Sequence, residues 1–60
     1  MYEMMEAIFE AVCEEYDMAW YEVFDGDLMD VVMARIEEAT GMDEEAVIDS
    51  DWYQEMAGDL

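Results

Sequence analysis

The sequence predicts an all-α fold, a small bundle of three or four helices, and three observations carry that expectation. Apolar residues recur at steps of three and four over most of the chain. There is no proline and there are only three glycines, so little interrupts a helix. Asp27, Asp43 and Ser50 each stand just ahead of a later apolar stretch, where a side-chain oxygen can cap a helix N-terminus.

Residues 2–24 read as one long amphipathic helix. Met5, Phe9, Val12, Tyr16, Trp20 and Val23 form its apolar stripe, and Ile8 and Ala19 widen it. The end of this stretch, 19–24, is also aromatic and β-branched enough for a strand, with 46–48 as its partner. A mixed α/β fold with a short two-stranded element is therefore the alternative. Asp25-Gly26-Asp27 reads as a turn. Asp27 is placed to cap the next helix, with Asp30 three residues on in a box-like start that suits the helix dipole. That helix carries Leu28, Val32, Ile36 and Ala39, and Gly41 fits the position just past its end. Asp43 is expected to cap a short helix holding Val47. Ser50 is expected to cap a last one holding Trp52, Tyr53 and Met56, which stops near Gly58.

Sixty residues make one domain, 1–60, with a shallow core and no room for a deep catalytic cavity. The chain is 57% hydrophobic and has eight aromatic side chains, which is unlike a disordered acidic tail. No apolar run approaches the length of a membrane span, and no basic stretch precedes an apolar one, so a soluble, cytoplasmic protein is expected. Cys13 is the only cysteine, and beside Val12 it reads as a small buried hydrophobe.

Charge is the strongest signal. Nineteen Asp and Glu stand against one basic residue, Arg35, for a net charge of −18. Such a chain repels nucleic acid and anionic membranes, and it attracts basic surfaces. Duplex DNA carries one charge per ~1.7 Å of axis, so this charge matches about 30 Å of duplex, or roughly nine base pairs. Glu3, Glu6, Glu10, Glu14 and Asp17 recur at helical spacing in an acidic stripe about 21 Å long. Asp25, Asp27 and Asp30 continue the charge across the turn, and these eight residues are the candidate partner-binding set. Like charges at i,i+4 cost a helix about 0.2–0.5 kcal/mol each, and no lysine relieves them. A small domain that tolerates this repulsion breaks a local rule, as functional surfaces do. The methionines that fall outside the stripes, among Met1, Met4, Met18 and Met33, suggest an adaptable patch for a partner or for a homodimer.

Catalysis is not expected. The chain has no His and no Lys, and with nineteen acids a pair of carboxylates at any spacing carries no information. Asp25-Gly26-Asp27 and Asp49-Ser50-Asp51 cluster oxygens but lack the spacing of a calcium-binding loop, so neither a metal nor a cofactor is expected. Arg35 is placed to pair with Glu38 one turn on.

In size, charge and lack of chemical groups the whole chain resembles the phage-type acidic DNA-mimic inhibitors, which include anti-CRISPR, anti-restriction and glycosylase-inhibitor proteins. They share a strategy and no sequence motif, so no site residue is carried over. The resemblance implies a basic nucleic-acid-binding partner, such as a Cas effector, a restriction enzyme or a repair enzyme, met in the host cytoplasm. A local resemblance is to acyl carrier proteins. Ile36-Glu37-Glu38-Ala39-Thr40-Gly41-Met42-Asp43-Glu44-Glu45-Ala46-Val47, ending in Ala57-Gly58-Asp59-Leu60, resembles that family's first helix and following loop, and Glu14-Glu15-Tyr16-Asp17 resembles the end of its second helix, in permuted order. The attachment motif is missing, since Ser50 is followed by Asp51. That likeness implies the alternative function, an acidic carrier-like or regulatory module that docks on a basic patch of an enzyme.

Overall fold

The computed structural model describes residues 2–24 and 26–60, which form helices joined by short turns. Five helices follow one another among the described residues: α1 (Tyr2–Glu15), α2 (Trp20–Phe24), α3 (Met29–Thr40), α4 (Glu44–Ile48) and α5 (Asp51–Gly58). The fold is an all-α bundle; of the candidate strands 19–24 and 46–48, residues 20–24 and 46–48 are helical and Ala19 lies in the connection before α2.

The long first helix is divided in two. A single helix over 2–24 would be about 34 Å long at ~1.5 Å per residue, whereas the longest dimension of the molecule is 26 Å. The remaining helices, of 12, 5 and 8 residues, are too short to cover an apolar stripe of that length. The chain instead folds α2 back onto α1. Asp17 makes the break at φ 52°, and it is the one described non-glycine residue with positive φ. The Met18 N–H donates to the Cys13 carbonyl at 3.0 Å and the Asp17 N–H to the Glu14 carbonyl at 3.2 Å. These two bonds form a Schellman motif, with aspartate where glycine is usual. Met18, one residue on, packs against the core, as often accompanies that motif.

The start of α3 also differs from expectation. Leu28, not Asp27, is the N-cap residue, and no side chain caps the helix. The chain winds in through backbone turns, with Met29 N–H donating to the Gly26 carbonyl and Asp30 N–H to the Asp27 carbonyl. Gly26 is required there, since a Cβ would lie 2.7 Å from the Glu22 carbonyl oxygen. The other three boundaries are as expected. Gly41 ends α3 at φ 80° and donates to the Glu37 carbonyl. Asp43 accepts from the Ala46 N–H at the start of α4, and Ser50 accepts from the Tyr53 N–H at the start of α5. The Ser50 hydroxyl also donates to the Val47 carbonyl, so one side chain joins the end of α4 to the start of α5.

The core holds Met5, Phe9 and Val12 of α1, Val23 and Phe24 of α2, Met29, Val32 and Ile36 of α3, Val47 of α4 and Trp52 of α5. Phe9, Phe24 and Trp52 meet in edge-to-face pairs with centroids 5.5 to 6.5 Å apart, a favoured geometry for aromatic rings. Tyr16, Trp20 and Ala39, expected on apolar stripes, are exposed instead. Cys13 is half-buried against the core, and burial pushes its thiol pKa up, away from the reactive thiolate. Met18 and Met33 also pack on the core, Met4 is exposed, and Met1 lies outside the described residues. The radius of gyration, 10.3 Å, is the value of about 10 Å that a folded chain of this length should have.

Candidate partner-binding surface

Every described Asp and Glu is exposed, and among the described residues no charged or polar one is buried. The apolar residues fill the interior so completely that the acids have only the surface to occupy. Glu3, Glu6, Glu10 and Glu14 run along the outside of α1, about 16 Å from first to last at ~1.5 Å per residue. Asp17 follows in the left-handed turn rather than on the helix, so the regular array is four carboxylates and the fifth leaves its line. Asp27 and Asp30 are exposed on a different element, at the start of α3. Asp25 lies outside the described residues.

The two flanks of α1 are distinct. On one, Glu15 faces α3, where the Arg35 guanidinium donates both to Glu15 Oε2 at 2.6 Å and to Glu15 Oε1 at 2.9 Å. This fork replaces the expected Arg35–Glu38 pair. It places a cation at the C-terminus of α1, which has no basic residue in its last turn. The Arg35 hydrogen bond holds the Glu15 carboxyl below its ordinary pKa, and Glu15 in turn raises that of Arg35. On the other flank α1 packs against α5. There the Tyr2 hydroxyl donates to Glu55 Oε2, a bond that raises the tyrosine pKa to about 12.

Two residues of the acidic stripe, Glu6 and Glu10, border a cleft of about 290 Å³. Phe9, Trp20, Trp52 and Met56 supply its apolar walls, and Glu6, Glu10 and Asp59 supply its carboxylates. Two stripe residues are thus brought together with Asp59, which the sequence pattern did not single out, and with Trp20, which it assigned to the core stripe. Asp59 is far from Glu6 in the chain, and only the packing of α5 on α1 joins them. Trp20 was misplaced by the same continuous helix that the turn at Asp17 breaks. Exposed aromatic surface continues from the cleft: Trp20 and Tyr21 stack edge to face at 5.9 Å, and Tyr21 is 58% exposed. Among the described residues no three side chains of the metal-binding types converge, and no helix is long and apolar enough to cross a membrane.

Compared with family models, with curated proteins and with solved structures, the chain matches none.

Proposed function

We propose that this protein is a DNA mimic, an acidic inhibitor that occupies the basic nucleic-acid-binding surface of a host protein, with a Cas effector as the first candidate target. The observation that carries the reading is exposed, uncompensated charge. All the described acids face solvent, and the only cation of the chain is spent on Glu15. The net charge of −18 is carried on a body 26 by 24 by 19 Å. That is close to the charge of the same length of duplex, at one per ~1.7 Å. A groove built for phosphates presents arginine and lysine, and an arginine grips carboxylate oxygens in the same forked geometry as phosphate oxygens. The Arg35–Glu15 fork is an example of that grip on this protein's own surface.

Charge reversal on two faces tests the reading. Glu6→Lys, Glu10→Lys and Glu14→Lys together remove the α1 stripe; Glu37→Lys, Glu38→Lys and Glu44→Lys make the same change of net charge on α3 and α4. Lysine is a good helix former, so both variants keep the fold. On a partner captured from host lysate, the first variant is expected to abolish inhibition and the second to weaken it. Full inhibition by both variants would contradict electrostatic mimicry.

A further inference from the structure

We propose that the cleft between α1, α2 and α5 seats one arginine residue of the partner protein. The inference deepens the mimicry reading and rests on it for the basic character of the partner. Its own ground is the composition of the cleft. Carboxylates of Glu6, Glu10 and Asp59 border an apolar trough walled by Phe9, Trp20, Trp52 and Met56. A phosphate-like surface needs only the carboxylates. The trough adds a place for the aliphatic stem and the flat face of a guanidinium, which stacks on indole and is more weakly hydrated than an ammonium. Glu6 and Glu10 are also like charges one turn apart on α1, so a cation between them relieves a repulsion present in the free protein.

A second observation concerns Trp52. Its side chain forms part of the cleft wall and is 1% exposed, and its indole Nε1–H has no hydrogen-bond partner among the described residues. A buried donor without a partner is uncommon in folded proteins. That donor lies behind the wall rather than in the cleft, so what the cleft presents to an occupant is the carboxylate rim and the accessible indole of Trp20. An arginine residue brings guanidinium N–H groups for those carboxylates, and the flat face of the group can lie on Trp20, which is 36% exposed at the cleft. The cleft, at about 290 Å³, is just smaller than typical ligand sites of about 300–1,000 Å³, a size that suits one side chain.

The test is an NMR titration of the intact protein at fixed ionic strength, following the indole N–H signals of Trp20 and Trp52. The probes are the capped amino acids N-acetyl-arginine amide, N-acetyl-lysine amide and N-acetyl-citrulline amide. Citrulline has nearly the shape of arginine without its charge. Arginine is expected to give saturable shifts of both indole signals, lysine to bind several-fold more weakly, and citrulline to leave the signals in place. The variant Glu6→Gln with Glu10→Gln should lose the saturable response, while Glu37→Gln with Glu38→Gln, which removes the same charge elsewhere, should keep it. Equal responses to arginine and lysine, or shifts that grow without saturating across the whole surface, would overturn the assignment and leave a diffuse field only. The two proposals fail separately. A protein that binds arginine in the cleft yet does not displace DNA from its partner sinks the mimicry, and one that displaces DNA with a cleft blind to arginine sinks this inference.

Discussion

Asp17 shows how a single residue sets the shape of the molecule. It holds a left-handed conformation that costs a side-chain-bearing residue roughly 1–2 kcal/mol, although aspartate tolerates it better than most. Its carboxylate also sits at the C-terminal end of α1, where the helix dipole disfavours an anion. Asp17→Gly removes both penalties, offset in part by the extra freedom of glycine in the unfolded chain. The substitution is expected to stabilise the fold by about 0.5–1 kcal/mol, and each kcal/mol raises the melting temperature of a domain this small by about 4–8 °C. Gly26→Ala should act in the opposite sense. A new Cβ would meet a backbone carbonyl at 2.7 Å that cannot swing aside, and overpacking of this kind costs about 1–3 kcal/mol. Thermal melts of the two variants check the pair. An unchanged or lowered melting temperature for Asp17→Gly would show that the aspartate side chain holds a partner of its own. The sequence marks the break only weakly: Asp17 stands in phase with the acidic stripe, and nothing near it resembles the glycine that ends α3 at Gly41.

At the scale of the elements, caps and core stripes were legible and the packing partners were not. Asp43, Ser50 and Gly41 act over three or four residues of chain, so the local sequence contains their whole argument. Met5, Phe9, Val12, Val32, Ile36, Val47 and Trp52 stand at expected core positions for the same reason. The helix break, the Arg35–Glu15 fork and the Tyr2–Glu55 bond depend on how α1 meets α2, α3 and α5. Periodicity along one helix carries no such information. The last two contacts predict the pH profile of folding. The tyrosine pKa is raised from 10.0 to about 12 in the folded state, so its contribution is complete below pH 10 and is lost as pH rises from there toward 12. The Glu15 pKa is lowered, so its contribution is present above its ordinary value of 4.5 and is lost as pH falls through the folded value. Melting curves of Tyr2→Phe and Glu15→Gln beside the parent should show the first converging with it at high pH and the second at low pH. A gap that stays constant across the range would mean that neither bond forms in solution.

For the whole molecule, one property dominates. Eighteen uncompensated negative charges on sixty residues repel one another in the folded state more than in the expanded chain. Salt screens such charges over about 8 Å at physiological ionic strength. Raising sodium chloride from low concentration should therefore raise the melting temperature of the free protein and weaken its hold on a partner, two effects of opposite sign from one cause. A melting temperature that falls with added salt would show attractive pairing beyond the Arg35–Glu15 ion pair found among the described residues. The total charge was plain from the sequence, as was the outward placement of acids around an apolar core. The seating of Glu6 and Glu10 beside Trp20, Trp52 and Asp59 was not, because it needs residues some fifty positions apart in the chain to share one cleft.

DNA mimicry, the function proposed for this charge, makes a direct demand on the partner. A basic channel that accepts the protein must then be closed to its nucleic acid, since both use the same cationic side chains. The direct measurement is a displacement assay with labelled duplex DNA on the purified partner, followed over a range of concentrations of this protein. Competition is predicted, with the apparent DNA affinity falling in proportion to added protein until the duplex is fully released. A ternary complex, in which the partner holds both ligands with undiminished affinity for each, would contradict the account.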